Sequence, residues 1–125
     1  MVQRPVSDRV AADKFHFDGR GPELQRAVWD SRGTILLAVD YADADGTLRH
    51  VRFHSPQVVM FTAEEVVSDP QPGGAFDLGR SPWLQSFQQQ HLGRCHHFQL
   101  LFYDELLDII CESLEFADGA FTPTI

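Results

Sequence analysis

Four residues in the C-terminal half carry side chains that could do chemistry: His91, Cys95, His96 and His97. Imidazoles and thiolates are zinc ligands, and a closed zinc site needs four of them converging on one point. A cysteine beside a histidine is also the pair that makes a nucleophile and its base. The spacing restrains both readings. If the chain is extended from Cys95 onward, His96 and His97 point to opposite faces. At most one of them then joins His91 and Cys95, and a fourth ligand must come from elsewhere. A helix end followed by a strand edge with surface histidines accounts for the same residues without any site. The expectation is therefore no metal, no cofactor and no catalytic residue.

Two other groupings suit binding better than catalysis. His50, Arg52 and His54 alternate along a predicted strand and share one face. Alternate strand residues stand about 7 Å apart, too far for the two histidines to chelate one ion. They form either a polar contact patch or a solvated sheet face. Asp40, expected opposite His50, reads as an exposed partner worth under about 1 kcal/mol. The acidic residues Glu64, Glu65, Asp69, Asp104, Glu105, Asp108, Glu112 and Glu115 could form a surface for a basic partner. Plain solubility charge would look the same. The long loop Asp69–Arg80, with Trp83 beside it, is a further contact candidate, because long ordered loops often carry function.

The elements that must position these residues are organised around His96–Phe116, the longest apolar run. With the tip at Asp104–Glu105, Phe102, Leu100 and Phe98 face Leu107, Ile109 and Cys111. That places six apolar side chains on one face of a hairpin. The other face, with His97, Gln99, Leu101, Asp108 and Ile110, is mixed and expected to be partly wet. The rival is a helix, since Glu105, Asp108, Glu112 and Glu115 recur at helical spacing. The hairpin is favoured because it explains both arms at once.

Earlier in the chain, Phe15 and Phe17 suggest a short strand. Glu23–Asp30 and Thr34–Tyr41 suggest a hairpin with Gly33 in its loop. Ala44-Asp45-Gly46 is the clearest turn, with glycine in the left-handed bulge position. It pairs Val39 with Val51, Leu37 with Phe53, Asp40 with His50 and Ala38 with Arg52. Gln57–Thr62 is another strand, and Thr62 to Glu65 has capping-box spacing for a helical turn. Ser81-Pro82 opens the one predicted helix, near 81–91, with Trp83, Leu84, Phe87 and His91 as its candidate buried stripe and Gly93 ending it. The expected fold is α+β: mainly an antiparallel meander of about six or seven strands, a twisted sheet or open barrel with one short helix.

A chain of 125 residues suits a single domain, 1–125, with 1–14 as a loose arm. The net charge of −8 argues against nucleic acid, which needs phosphate neutralised by Lys and Arg. It argues equally against anionic membrane surfaces. No stretch resembles a signal peptide or a bilayer-spanning run, so a cytoplasmic location with reduced thiols is expected.

The stretches LQRAVWDSRGTILLAVDY, DGTLRHVRFHS and HHFQLLFYDELLDIICESLEF resemble small bacterial proteins of antiparallel-sheet type, some of which are immunity proteins. That resemblance implies a non-enzymatic, single-domain protein that binds another protein, and it carries over no catalytic residue. The sequence-level expectation is an immunity- or adaptor-like domain that binds a basic protein. The contact candidates are His50, Arg52, His54, Trp83, Asp104 and Glu105, and the chain is a monomer or an edge-paired homodimer. The alternative is a small-ligand binder or enzyme with a Cys/His site near residues 91–97.

Overall fold

The computed structural model describes residues 8–10, 13–18, 21–31, 36–67 and 73–123. The expectations for Gly33 and Asp69 fall outside these residues. The described chain forms nine strands: β1 (Asp8–Arg9), β2 (Glu23–Asp30), β3 (Leu36–Ala42), β4 (Leu48–His54), β5 (Val58–Ala63), β6 (Ala75–Asp77), β7 (His96–Leu101), β8 (Glu105–Cys111) and β9 (Ser113–Asp118). One α-helix, α1 (Pro82–Ser86), and two 3-10 turns, Glu64–Val66 and Gln90–Arg94, complete it. The molecule is thus mainly β rather than α+β. No helix among the described residues is long and apolar enough to cross a membrane.

The strands form two antiparallel sheets rather than one sheet or a barrel. Sheet A runs β1-β6-β7-β8-β5 and sheet B runs β2-β3-β4-β9. Their inner faces share one core: Leu37, Val39, Tyr41, Val51 and Phe53 from B meet Ala75, Phe98, Leu100, Leu107, Ile109 and Cys111 from A. Two bends make the division. The chain leaves sheet B for sheet A at Ser55-Pro56, where Ser55 has φ 52°. It returns from A to B at Glu112, whose N–H donates to the His54 carbonyl at 3.0 Å. The ribbon of β4–β5 and β8–β9 therefore turns the corner as a pair.

The β3–β4 hairpin has the expected register, with Val39 opposite Val51 and Leu37 opposite Phe53. The closing hairpin forms, but two residues out of the expected register. Phe98 faces Ile109 and Leu100 faces Leu107, around a turn whose centre is Tyr103–Asp104. There the Phe102 N–H donates to the Glu105 carbonyl at 2.8 Å. A shift of two keeps every side chain on its face, so the apolar pattern alone does not distinguish the registers.

Three further expectations are corrected. Phe15–Phe17 is not a strand; Phe15 plugs the end of the core against Tyr41, Phe102 and Phe116, and Phe17 lies against Gly73, where any Cβ would collide with its ring. The long loop ending at Arg80 contains strand β6. The helix is five residues long, because Gln88 adopts a left-handed conformation (φ 52°) just past its end; Gln90–Arg94 is a separate 3-10 turn. These short elements cover the outer face of sheet A and bury Leu84, Leu92, Cys95 and Ile110 in a second, smaller core. Much of the hairpin face expected to be partly wet is consequently covered: His97, Leu101, Leu106, Asp108 and Ile110 are buried, while Gln99 is half-buried and Tyr103 and Glu112 stay exposed.

Candidate functional site

Among the described residues, polar chemistry is gathered at four places. The first lies beneath α1. Ser81 caps the helix, its Oγ accepting the Leu84 N–H at 3.2 Å. The Ser81 hydroxyl also meets His97 Nδ1 at 2.7 Å, and His97 Nε2 meets Asp108 Oδ1 at 2.6 Å. A carboxylate only accepts, so Nε2 donates to Asp108, and Nδ1 shares its hydrogen bond with the serine hydroxyl. Gln99 donates to the same Asp108 oxygen at 3.0 Å, and Trp83 packs on the His97 ring. Serine, histidine and aspartate in a chain are the parts of a hydrolase triad. Here all three are buried. A shallow depression of about 310 Å³ nearby is lined by Arg80, Leu84, Gln85, Gln88, Gln89 and Gln90, and Ser81 is not in its wall. The chain of bonds ties helix to sheet and satisfies polar groups that burial would otherwise penalise.

The Cys/His candidates separate around it. Cys95 is buried in the second core, and burial pushes its thiol up. His96 is exposed and pairs with Asp77 at 2.8 Å, while His91 is exposed on the 3-10 turn. Cys111 sits in the main core, where burial pushes its thiol up to about 12.

The second place is the end of the sandwich near the β3–β4 turn. His16, Asp43 and Asp45 each bring a ligand atom within 4.8 Å of one another, the one such trio among the described residues. Arg49 already supplies the positive charge there. Its Nη1 donates to Asp43 and, at 2.9 Å, to Asp45, and its Nε donates to Asp118 at 2.9 Å. Asp43 is saturated further by the His16 and Ala44 backbone N–H groups. The cluster is an ion-pair network, buried at Asp43 and Arg49 and exposed at Asp118, that anchors residues 13–18 across the core's end.

The third place is the outer face of sheet B. His50 and Asp40 are buried rather than exposed, because residues 119–121 lie over them. The Phe121 N–H donates to Asp40 at 2.8 Å, Arg26 donates to both Asp40 and the Phe121 carbonyl, and His50 Nδ1 meets the Gly119 carbonyl at 2.9 Å. Arg52 and His54 remain half-exposed and share Glu115 across the strands. The patch proposed from His50, Arg52 and His54 is thus divided by a strap that alternation along one strand could not reveal.

The fourth place is the acidic end of sheet A. Ala63 pairs with Glu105, and the Glu64 N–H donates to the Asp104 carbonyl at 2.7 Å. This fastens the 3-10 turn to the tip of the closing hairpin. Ala63, Glu64, Glu65, Asp104 and Glu105 line a shallow notch of about 330 Å³. Burial, and then the neighbouring Asp104, raise the Glu105 carboxyl above its ordinary value. No lysine or arginine occurs between Arg52 and Arg80, nor after Arg94. Beside the notch lie exposed apolar side chains: Met60 and Phe61 on β5, Val66 on the 3-10 turn and Tyr103 at the hairpin tip. The other members of the anticipated acidic edge are elsewhere. Asp108 is inside with His97, Glu112 is at the corner, and Glu115 belongs to sheet B.

Comparison of the chain with family models, with curated proteins and with solved structures finds no match in any of the three.

Proposed function

We propose that this chain is a non-enzymatic protein-binding domain, adaptor- or immunity-like, that engages a basic partner protein through the acidic end of sheet A. One observation carries the reading: Glu64, Glu65, Asp104 and Glu105 are brought together beside exposed Met60, Phe61, Val66 and Tyr103, in a region whose sequence contains no lysine or arginine. Carboxylates beside exposed apolar side chains suit a partner that presents cations, giving steered encounter and orientation. Among the described residues these carboxylates form no trio close enough to hold one ion, which fits extended basic side chains better than chelation.

The test is charge reversal. Glu64→Lys with Asp104→Lys, used to capture partners from a lysate at low salt, should lose those that the unaltered chain retains. With a purified partner, association should slow by about tenfold or more at low ionic strength and by much less at high salt. Retention of every partner by the reversed variant would remove this surface from consideration.

A ligand or catalytic site around Cys95 has less support, since both thiols are buried and raised. Reaction of the native chain with Ellman's reagent near neutral pH should run at least about a hundredfold slower than in denaturant. A Cys95 that reacts as fast folded as unfolded would restore that alternative.

A further inference from the structure

We infer that the partner binds by adding an extended, lysine- or arginine-bearing segment to the outer edge of β5 as a sixth strand of sheet A. This rests on the protein-binding reading above and deepens it by naming the mode of contact and the chemistry of the bound segment.

Exposed strand edges invite pairing, and proteins blunt them with short strands, bulges, charges or proline. Of the four edge strands in the described structure, three carry such devices. β1 has two residues. β2 is bulged between Leu24 and Arg26 and bears charge along its length. β9 carries Glu115 and Asp118, both engaged in ion pairs. β5 carries none of them. Its sequence VVMFTA has no charge and no proline, and its register against β8 runs unbroken from Val58↔Ile110 to Ala63↔Glu105. No described strand pairs with its outer side. Met60 and Phe61 are 43% and 41% exposed.

The occupant follows from charge. Strand addition supplies backbone hydrogen bonds, and alternate side chains supply specificity. At the C-terminal end of β5 an added segment runs on past Glu64 and Glu65, with Asp104 and Glu105 across β5 in the same acidic notch, so cations on the segment are favoured there. A second copy pairing through its own β5 brings none.

The probe is a short acetylated peptide of alternating valine and lysine, titrated into the labelled full chain at low salt and followed by amide NMR. Its twin is N-methylated at alternate residues, which keeps charge and side chains but blocks pairing. The unmodified peptide should shift amides of residues 58–65 and 104–105, and the methylated twin should bind at least tenfold more weakly. Phe61→Lys, confirmed folded by its melting curve, should lose the peptide. Equal binding of the two peptides overturns strand addition while leaving the acidic surface as a partner site. No binding of either, equal binding of a valine–glutamate peptide, or a dimer that must dissociate first, as an edge-paired homodimer would, overturns the inference outright. The charge-reversal experiment then decides the broader reading separately.

Discussion

Ser81 shows how much a single residue type can disclose and how much it conceals. Serine before proline marks a helix start, and the hydroxyl does cap α1. Its bond to His97, sixteen residues away, and that histidine's bond to Asp108 arise only when α1 lies over β7 and β8. Ser81→Ala therefore removes two interactions, the cap and the hydrogen bond to Nδ1, leaving that buried nitrogen without its serine partner. The expected cost is about 1–2 kcal/mol, read as a lower midpoint in urea unfolding. The thiols of Cys95 and Cys111 illustrate the opposite limit. Residue type alone leaves reactivity open, and burial determines it.

At the scale of elements, turns were legible where they demand unusual backbone. Gly46 has φ 89°, and the Gly46 N–H donates to the Asp43 carbonyl at 2.9 Å, closing the β3–β4 turn as its sequence predicts. A Cβ there would meet nothing within 4 Å. Gly46→Ala thus tests conformational strain free of steric clash, with an expected loss of about 1 kcal/mol and an unchanged dependence on denaturant concentration. The closing hairpin lacks such a glycine. Its apolar faces were readable, but its register was set by a Tyr103–Asp104 turn that no residue preference announces. The short helix was legible at its start and not at its end, because Gln88 in a left-handed conformation is not a residue that signals termination.

The molecule as a whole should respond to acid through its ion-pair networks. The Arg49 bond, with Lys14 behind it, holds Asp118 below the ordinary carboxylate range. The Thr47 N–H, with Arg49 behind it, does so for Asp45, and His54 followed by Arg52 does so for Glu115. A depressed folded pKa contributes stability that is complete above the unfolded value and lost as pH falls through the folded one. Unfolding midpoints should accordingly drop below about pH 4. Glu105 has the opposite sign, since its raised pKa disfavours the folded state wherever the carboxylate is ionised. Glu105→Gln should raise the midpoint near neutral pH and leave it unchanged below about pH 4, where the native carboxyl is protonated in both states. Urea titrations across that range check both signs.

From its sequence alone this protein determined the inward and outward faces of its strands, the β3–β4 register, the Gly46 turn and the capped start of α1. Each depends on residues close together in the chain, through period-two alternation or local backbone preference. The tertiary structure alone decided that there are two sheets, that the ribbon turns its corner at Ser55-Pro56 and Glu112, and that Phe121 covers Asp40 and His50. It also decided that Glu64 and Glu65 meet Asp104 and Glu105. The reason is physical. Alternation says which side chains must be buried, whereas the identity of the element that buries them depends on backbone pairing between distant segments. Many distant pairings satisfy the same local pattern, and close packing of the whole core selects among them.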